Sequence, residues 1–278
     1  MIDLPPLARA DLIAMGQRIR IPRPLEVSEP RPGQVWRALW NDISSLVVVL
    51  DPSPTSVLVA PLFLDFDLEI FEDDESTDFL GRRALVLWRH AETIAPLTLD
   101  APFGTVALSG SESIQPVEDA DIEARMLEPL NELARWAKEG EGDGTLRDRL
   151  KNSGVTPSHV AAVLKIPLAV AARIFRGTRP VTPEEADALA TMAPLTAAEI
   201  LASNPTLPDQ WHAELRAGEY RAPIRALARQ RQKSDSEAWR SVAYGAYALA
   251  ARQANGRAAA SVRARILSYI QSELASDD

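Results

Sequence analysis

Cysteine is absent from the 278 residues, which excludes disulfides, cysteine-ligated zinc and thiol catalysis. Histidine is nearly so: His90, His159 and His212 lie far apart, and no two have metal-ligand spacing. No apolar run approaches a membrane span, and the first residues lack the charged-then-apolar pattern of a signal peptide. A soluble cytoplasmic protein without cofactor is therefore expected. Gly140, Gly142 and Gly144 follow no strand signal, so no phosphate-cradling loop or dinucleotide fingerprint is present. Neither Ser44-Ser45 nor Ser109-Gly-Ser111 carries a nucleophile signature. Catalysis is not expected.

Charge is present, and it is divided unevenly. Residues 1–144 hold 12 Lys and Arg against 26 Asp and Glu, a balance of −14. Residues 145–278 hold 18 against 13, a balance of +5, which brings the chain to its net −9. An acidic protein is a poor general ligand for nucleic acid, but its basic half is a reasonable one, because neutralised phosphates release counterions.

Pattern divides the chain further, into an α+β protein. Residues 1–30 carry five prolines around one plausible helix over 7–19 and read as an extension. Residues 31–118 turn to strands, predicted at 35–39, 46–50, 57–64, 84–88, 93–97 and 105–108 and separated by turn residues such as Asp51-Pro-Ser-Pro54. Short strands at this spacing suggest a small barrel. Between them, the acidic run over 65–78 lacks the glycine and terminal glutamate of a calcium loop and reads as a solvated hairpin tip. Residues 119–144 read as a connecting helix with Leu127, Leu130, Leu133 and Trp136 on one stripe, then a flexible acidic linker, Glu139-Gly-Glu-Gly-Asp-Gly144.

The most informative stretch follows. Thr156 can cap a helix with Pro157 in its first turn, and Val160, Ala161 and Leu164 share one face. After a break at Ile166-Pro167, a second helix turns Ala171, Ile174 and Phe175 inward and stops at Gly177. Thr145, Thr182 and Thr196 can open neighbouring helices, the last two by capping boxes. Residues 145–202 thus read as an all-α domain of four or five short helices containing a helix-turn-helix. Residues 203–278 form a helical extension in which Asp235-Ser236 can cap a helix whose stripe, Trp239, Val242, Ala243, Ala246, Leu249 and Ala250, either caps that domain or forms a dimer interface.

Residues 145 to about 201 resemble the Cro/repressor-type (XRE) helix-turn-helix family, including antitoxins of the HigA kind. That resemblance implies a regulator that binds double-stranded DNA as a homodimer. Thr156, Ser158, His159, Lys165, Arg173, Arg176 and Arg179 would then meet the DNA backbone, and Leu168 and Ala169 the base edges. The second helix departs from the family's pattern, since Pro167, Leu168, Ala169 and Ala172 cannot read the groove's donor and acceptor code.

A second resemblance rests on Arg31-Pro-Gly-Gln-Val-Trp36, then Leu46-Val-Val-Val-Leu50, then Val57-Leu-Val-Ala-Pro-Leu62. This order is similar to the opening strands of MazF/PemK-like toxins, whose SH3-like barrel cleaves RNA. The positions matching that family's catalytic cation and hydroxyl hold Ser44-Ser45 and Phe63-Leu64, so the resemblance implies a non-catalytic barrel that binds a toxin, another protein partner or a ligand. Two rivals stand beside the regulator reading. One is an interaction scaffold that has lost DNA; the other is an RNA-cleaving toxin drawing its cation from Arg37, Arg82 or Arg83.

Overall fold

The computed structural model describes residues 29–64, 76–107, 120–139, 141–253 and 261–275. The expected helix over 7–19, most of the acidic run, and Ser109-Gly-Ser111 lie outside the described residues. The fold is mixed α+β, with an antiparallel sheet first and helices after it.

Seven strands make the sheet: β1 (Gln34–Trp40), β2 (Ile43–Pro52), β3 (Val57–Leu64), β4 (Ser76–Phe79), β5 (Arg82–Val86), β6 (Glu92–Ile94) and β7 (Leu99–Thr105). Their order is β4-β5-β3-β2-β1-β7, with β6 paired to β3. Asn41 and Asp42 both take positive φ, 48° and 66°, the primed-turn geometry that matches strand twist and sets Trp40 opposite Ile43. Alternation along β1 and β2 divides the two faces. Val35 and Val48 enter one small core with Phe79, while Trp36, Trp40, Val47 and Val49 join the main core shared with the helices. The run over 46–50 is therefore buried on both sides, as its unbroken apolarity predicts. An ideal Cβ at Gly104 of β7 would lie 3.0 Å from the Phe79 ring of β4, so the sheet curls until its two ends meet.

One strand prediction is displaced. Pro96 has no N–H for a ladder, and Pro96–Thr98 forms a 3-10 turn; the last strand starts at Leu99 rather than 105.

Ten α-helices follow among the described residues. They are α1 (Ala120–Glu139), α2 (Leu146–Asn152), α3 (Pro157–Leu164), α4 (Leu168–Phe175), α5 (Pro183–Ala190), α6 (Ala197–Ala202), α7 (Asp209–Leu215), α8 (Arg221–Gln230), α9 (Asp235–Gln253) and α10 (Val262–Ala275). Thr156, Thr182 and Thr196 each accept the backbone N–H three residues on, and the side chain there accepts from the threonine N–H in return. Two local predictions differ. The Thr145 hydroxyl donates to Asp143 instead of capping α2, and Ser234, not Asp235 or Ser236, caps α9 through Glu237. Ser236 is drawn away because its hydroxyl accepts from Trp40 Nε1 at 2.8 Å and from Asn41 Nδ2 at 2.6 Å.

Those bonds tie the sheet to the helices, and three indoles continue the tie. Trp40 of β1 lies 4.3 Å, centroid to centroid, from Trp136 of α1, which meets Trp239 of α9 edge-on at 5.7 Å. Asp100 of β7 pairs with Arg37 and, at 2.9 Å, with Arg221 of α8. Burial pushes the Arg221 guanidinium down to about 10, with Asp100 opposing.

Residues 141–144, predicted as part of a flexible linker, are held by distant parts of the chain. Glu141 is only 4% exposed, accepts the Leu207 N–H at 2.7 Å and pairs with His212. Gly142 N–H donates to the Tyr244 hydroxyl, and the N–H groups of Asp143 and Gly144 donate to Ala202 and Asn204 carbonyls. Asn204 is buried and clamps the α4–α5 loop, accepting from Val181 N and donating to Val181 O. Asn204→Ala strands both buried backbone groups and is expected to lower stability by about 2–4 kcal/mol. The readout is a lower urea midpoint at unchanged m-value; a midpoint at the wild-type position contradicts the clamp.

Candidate nucleic-acid interface

The two helices of the expected DNA-binding unit are eight residues each, joined by Lys165-Ile166-Pro167, and the chain turns through 119° between them. Lys165 adopts a left-handed conformation, φ 52°, which ends α3, and its N–H donates to Ala161 O. Val160, Ala171 and Ile174 are fully buried, with Ala161, Leu164 and Phe175 packed against the same core. Helical phase then fixes what faces outward.

Thr156, Ser158, His159, Lys165, Leu168, Ala169, Arg173 and Arg176 are all exposed. Arg179 is the exception. Its guanidinium forms a fork on Glu185, at 2.8 and 3.2 Å, and would have to leave it to reach a phosphate. Thr156 and His159 share a capping box, in which His159 Nδ1 accepts from the Thr156 N–H; the proton of a neutral ring then sits on Nε2, which points a donor outward. Arg176 donates through Nε to Ala172 O. Among the described residues, Lys165, Arg173 and Arg176 have no carboxylate partner.

Sequence reasoning missed two aspects of this surface. Arg147 and Lys151 of α2 are also exposed and without a carboxylate partner among the described residues, and α2 packs on α4. Moreover, from 149 to 183 the chain holds six Lys or Arg and no Asp or Glu. Counting charge in that window alone, rather than over halves, would have found it. Leu168 stands out for another reason: it is 56% exposed at the start of α4, one of two large apolar side chains so open among the described residues.

The rival cation Arg37 is committed to Asp100, while Arg82 and Arg83 lie outside the described side chains. Of the positions matching toxin chemistry, Ser44 and Ser45 lie on β2 and Phe63 and Leu64 at the end of β3, the strand beside it. Among the described residues, no three His, Asp or Glu are placed to share a metal ion, and no single helix is long and apolar enough to cross a membrane. The stripe Trp239, Val242, Ala243, Ala246 and Ala250 is buried within the chain's own core, so it caps the helical half and is not free for a second copy. Comparison with protein-family models, curated proteins and solved structures finds no match to this chain.

Proposed function

We propose that the chain is a DNA-binding transcriptional regulator of the XRE helix-turn-helix type, antitoxin-like, whose strand-rich half acts as a non-catalytic SH3-like module for a protein partner. The observation that carries this reading is a carboxylate-free pair of short helices, set at 119°, that presents outward cations with no carboxylate partner among the described residues, in an otherwise acidic protein. The angle lies within the range of helix-turn-helix units. Lys165, Arg173 and Arg176, with His159 Nε2 and the Ser158 hydroxyl, supply phosphate contacts that position a duplex without reading it. Leu168 and Ala169 offer only apolar contact with thymine methyls. Discrimination then depends on two copies engaging two half-sites.

The test is fluorescence anisotropy on random-sequence and candidate-operator duplexes across a salt series. Arg173→Ala and Arg176→Ala are each expected to weaken binding on every duplex and to reduce the salt slope by about 1. Wild-type affinity for both variants at low salt overturns this docking. The exposed Leu168 favours one alternative, in which α4 meets another protein; absence of any duplex binding at micromolar protein and low salt selects it.

A further inference from the structure

A cavity of about 720 Å³ lies where the β1–β2 turn, α1, the 141–143 segment, the 202–207 segment, α7 and α9 converge. That volume falls in the range of small-molecule sites. Its wall is half apolar, with Trp40, Trp136, Leu133 and Leu207, and half polar. The polar half divides sharply once partners are assigned. Glu141 is occupied by Leu207 N and His212, Asp143 by Thr145 and Arg149, and Ser236 by Trp40 and Asn41. Glu132 pairs with Arg135 at 3.9 Å, both half-exposed.

Arg240 is different. It lines the cavity, yet among the described residues it makes no hydrogen bond and no ion pair, and its Nε is buried without an acceptor. Asp143 and Glu237 lie close enough to act on its charge, but neither closes a pair. Trp136 Nε1 is likewise buried without an acceptor. Asp209, exposed at the start of α7, is the one lining carboxylate without a partner among the described residues; the buried hydrogen-bonding capacity left over belongs to donors, Arg240 Nε and Trp136 Nε1, beside a surface of indole and leucine. Arg149 and Arg135 offset the charge of Asp143 and Glu132, which lowers their repulsion of an incoming anion.

We propose that this cavity is a binding site for a compact organic oxyanion, an apolar or aromatic body carrying a carboxylate or phosphate, with Arg240 as its anchoring cation. The body lies against Trp40, Trp136, Leu133 and Leu207, and the oxyanion accepts from the Arg240 fork. This site is separate from the helix-turn-helix surface and stands whether or not that surface binds DNA.

The experiment uses the full chain and 8-anilinonaphthalene-1-sulfonate, an aromatic oxyanion that brightens on leaving water. One molecule per chain is expected to bind, with Arg240→Gln weakening it by at least about tenfold and Arg240→Lys by less. Cooperative thermal unfolding of each variant checks that it folds. Competition on the wild-type protein needs no variant: indole-3-acetate displaces the probe, and neutral indole does so at least about tenfold less well. Phenyl phosphate in the same competition separates carboxylate from phosphate preference. Equal probe affinity for folded Arg240→Gln, or indole competing as well as indole-3-acetate, overturns the proposal.

Discussion

Gly142→Ala lowers the unfolding free energy by about 3–5 kcal/mol, an unusually large effect for one added methyl group. A Cβ at this position would stand 2.1 Å from the Asn204 carbonyl oxygen and 2.7 Å from its carbon and nitrogen. All three are backbone atoms, so no rotamer change relieves the clash. Displacement is opposed from both sides. The N–H of Gly142 donates to Tyr244, which is itself fixed by donating to Pro205 O, and Asp143, Gly144 and Leu146 donate to the carbonyls of Ala202, Asn204 and Ser203. Asn204 in turn holds Val181. Moving either strand of this seam breaks buried hydrogen bonds, at about 1–3 kcal/mol for each group left unpaired. Urea denaturation at 25 °C is the measurement; a variant within about 1 kcal/mol of wild type removes the seam from the account of stability.

Trp239→Ala is expected to cost about 3–5 kcal/mol. Its side chain is fully buried and its Nε1 donates to Leu215 O at 3.0 Å, so truncation leaves both a void and an unpaired carbonyl. The void opens beside Trp136, which also contacts Trp40 from the sheet. Near-UV circular dichroism should therefore lose signal from more than one indole. Unfolding should shift for strand and helix probes together, because the main core runs from Trp36 to Ile270 without interruption. An unchanged near-UV spectrum, or a loss under about 1 kcal/mol, contradicts the three-indole coupling.

Much of this was readable where one short window holds the whole cause. The boxes at Thr156, Thr182 and Thr196 each need four residues, and Gly154 and Gly177, at φ 71° and 69°, end helices where a left-handed residue was called for by the sequence. The exposure of Arg173 followed from helical phase, and Lys165 and Arg176 sit at the ends of the two helices. What failed were features whose cause lies far along the chain. Glycines with interleaved acids signal a flexible linker by composition, yet residues 141–144 are held by 202–207, 212 and 244. Ser236 resembles a cap but serves Trp40, nearly 200 positions away. Arg179 and Glu185 form their fork across a loop that follows no helical period, and the cavity around Arg240 draws on six segments.

Glu141 and Gly142 have a mechanical consequence. Where composition suggests a swivel, the chain instead runs through a fixed groove, its carboxylate and its amide each gripped by a distant helix or loop. With Trp40 bonded to Ser236 and Asp100 paired with Arg221, the acidic strand-bearing part and the cationic helical part turn as one piece. A molecule that docked on the first would set the bearing of Arg173 and Arg176 in space.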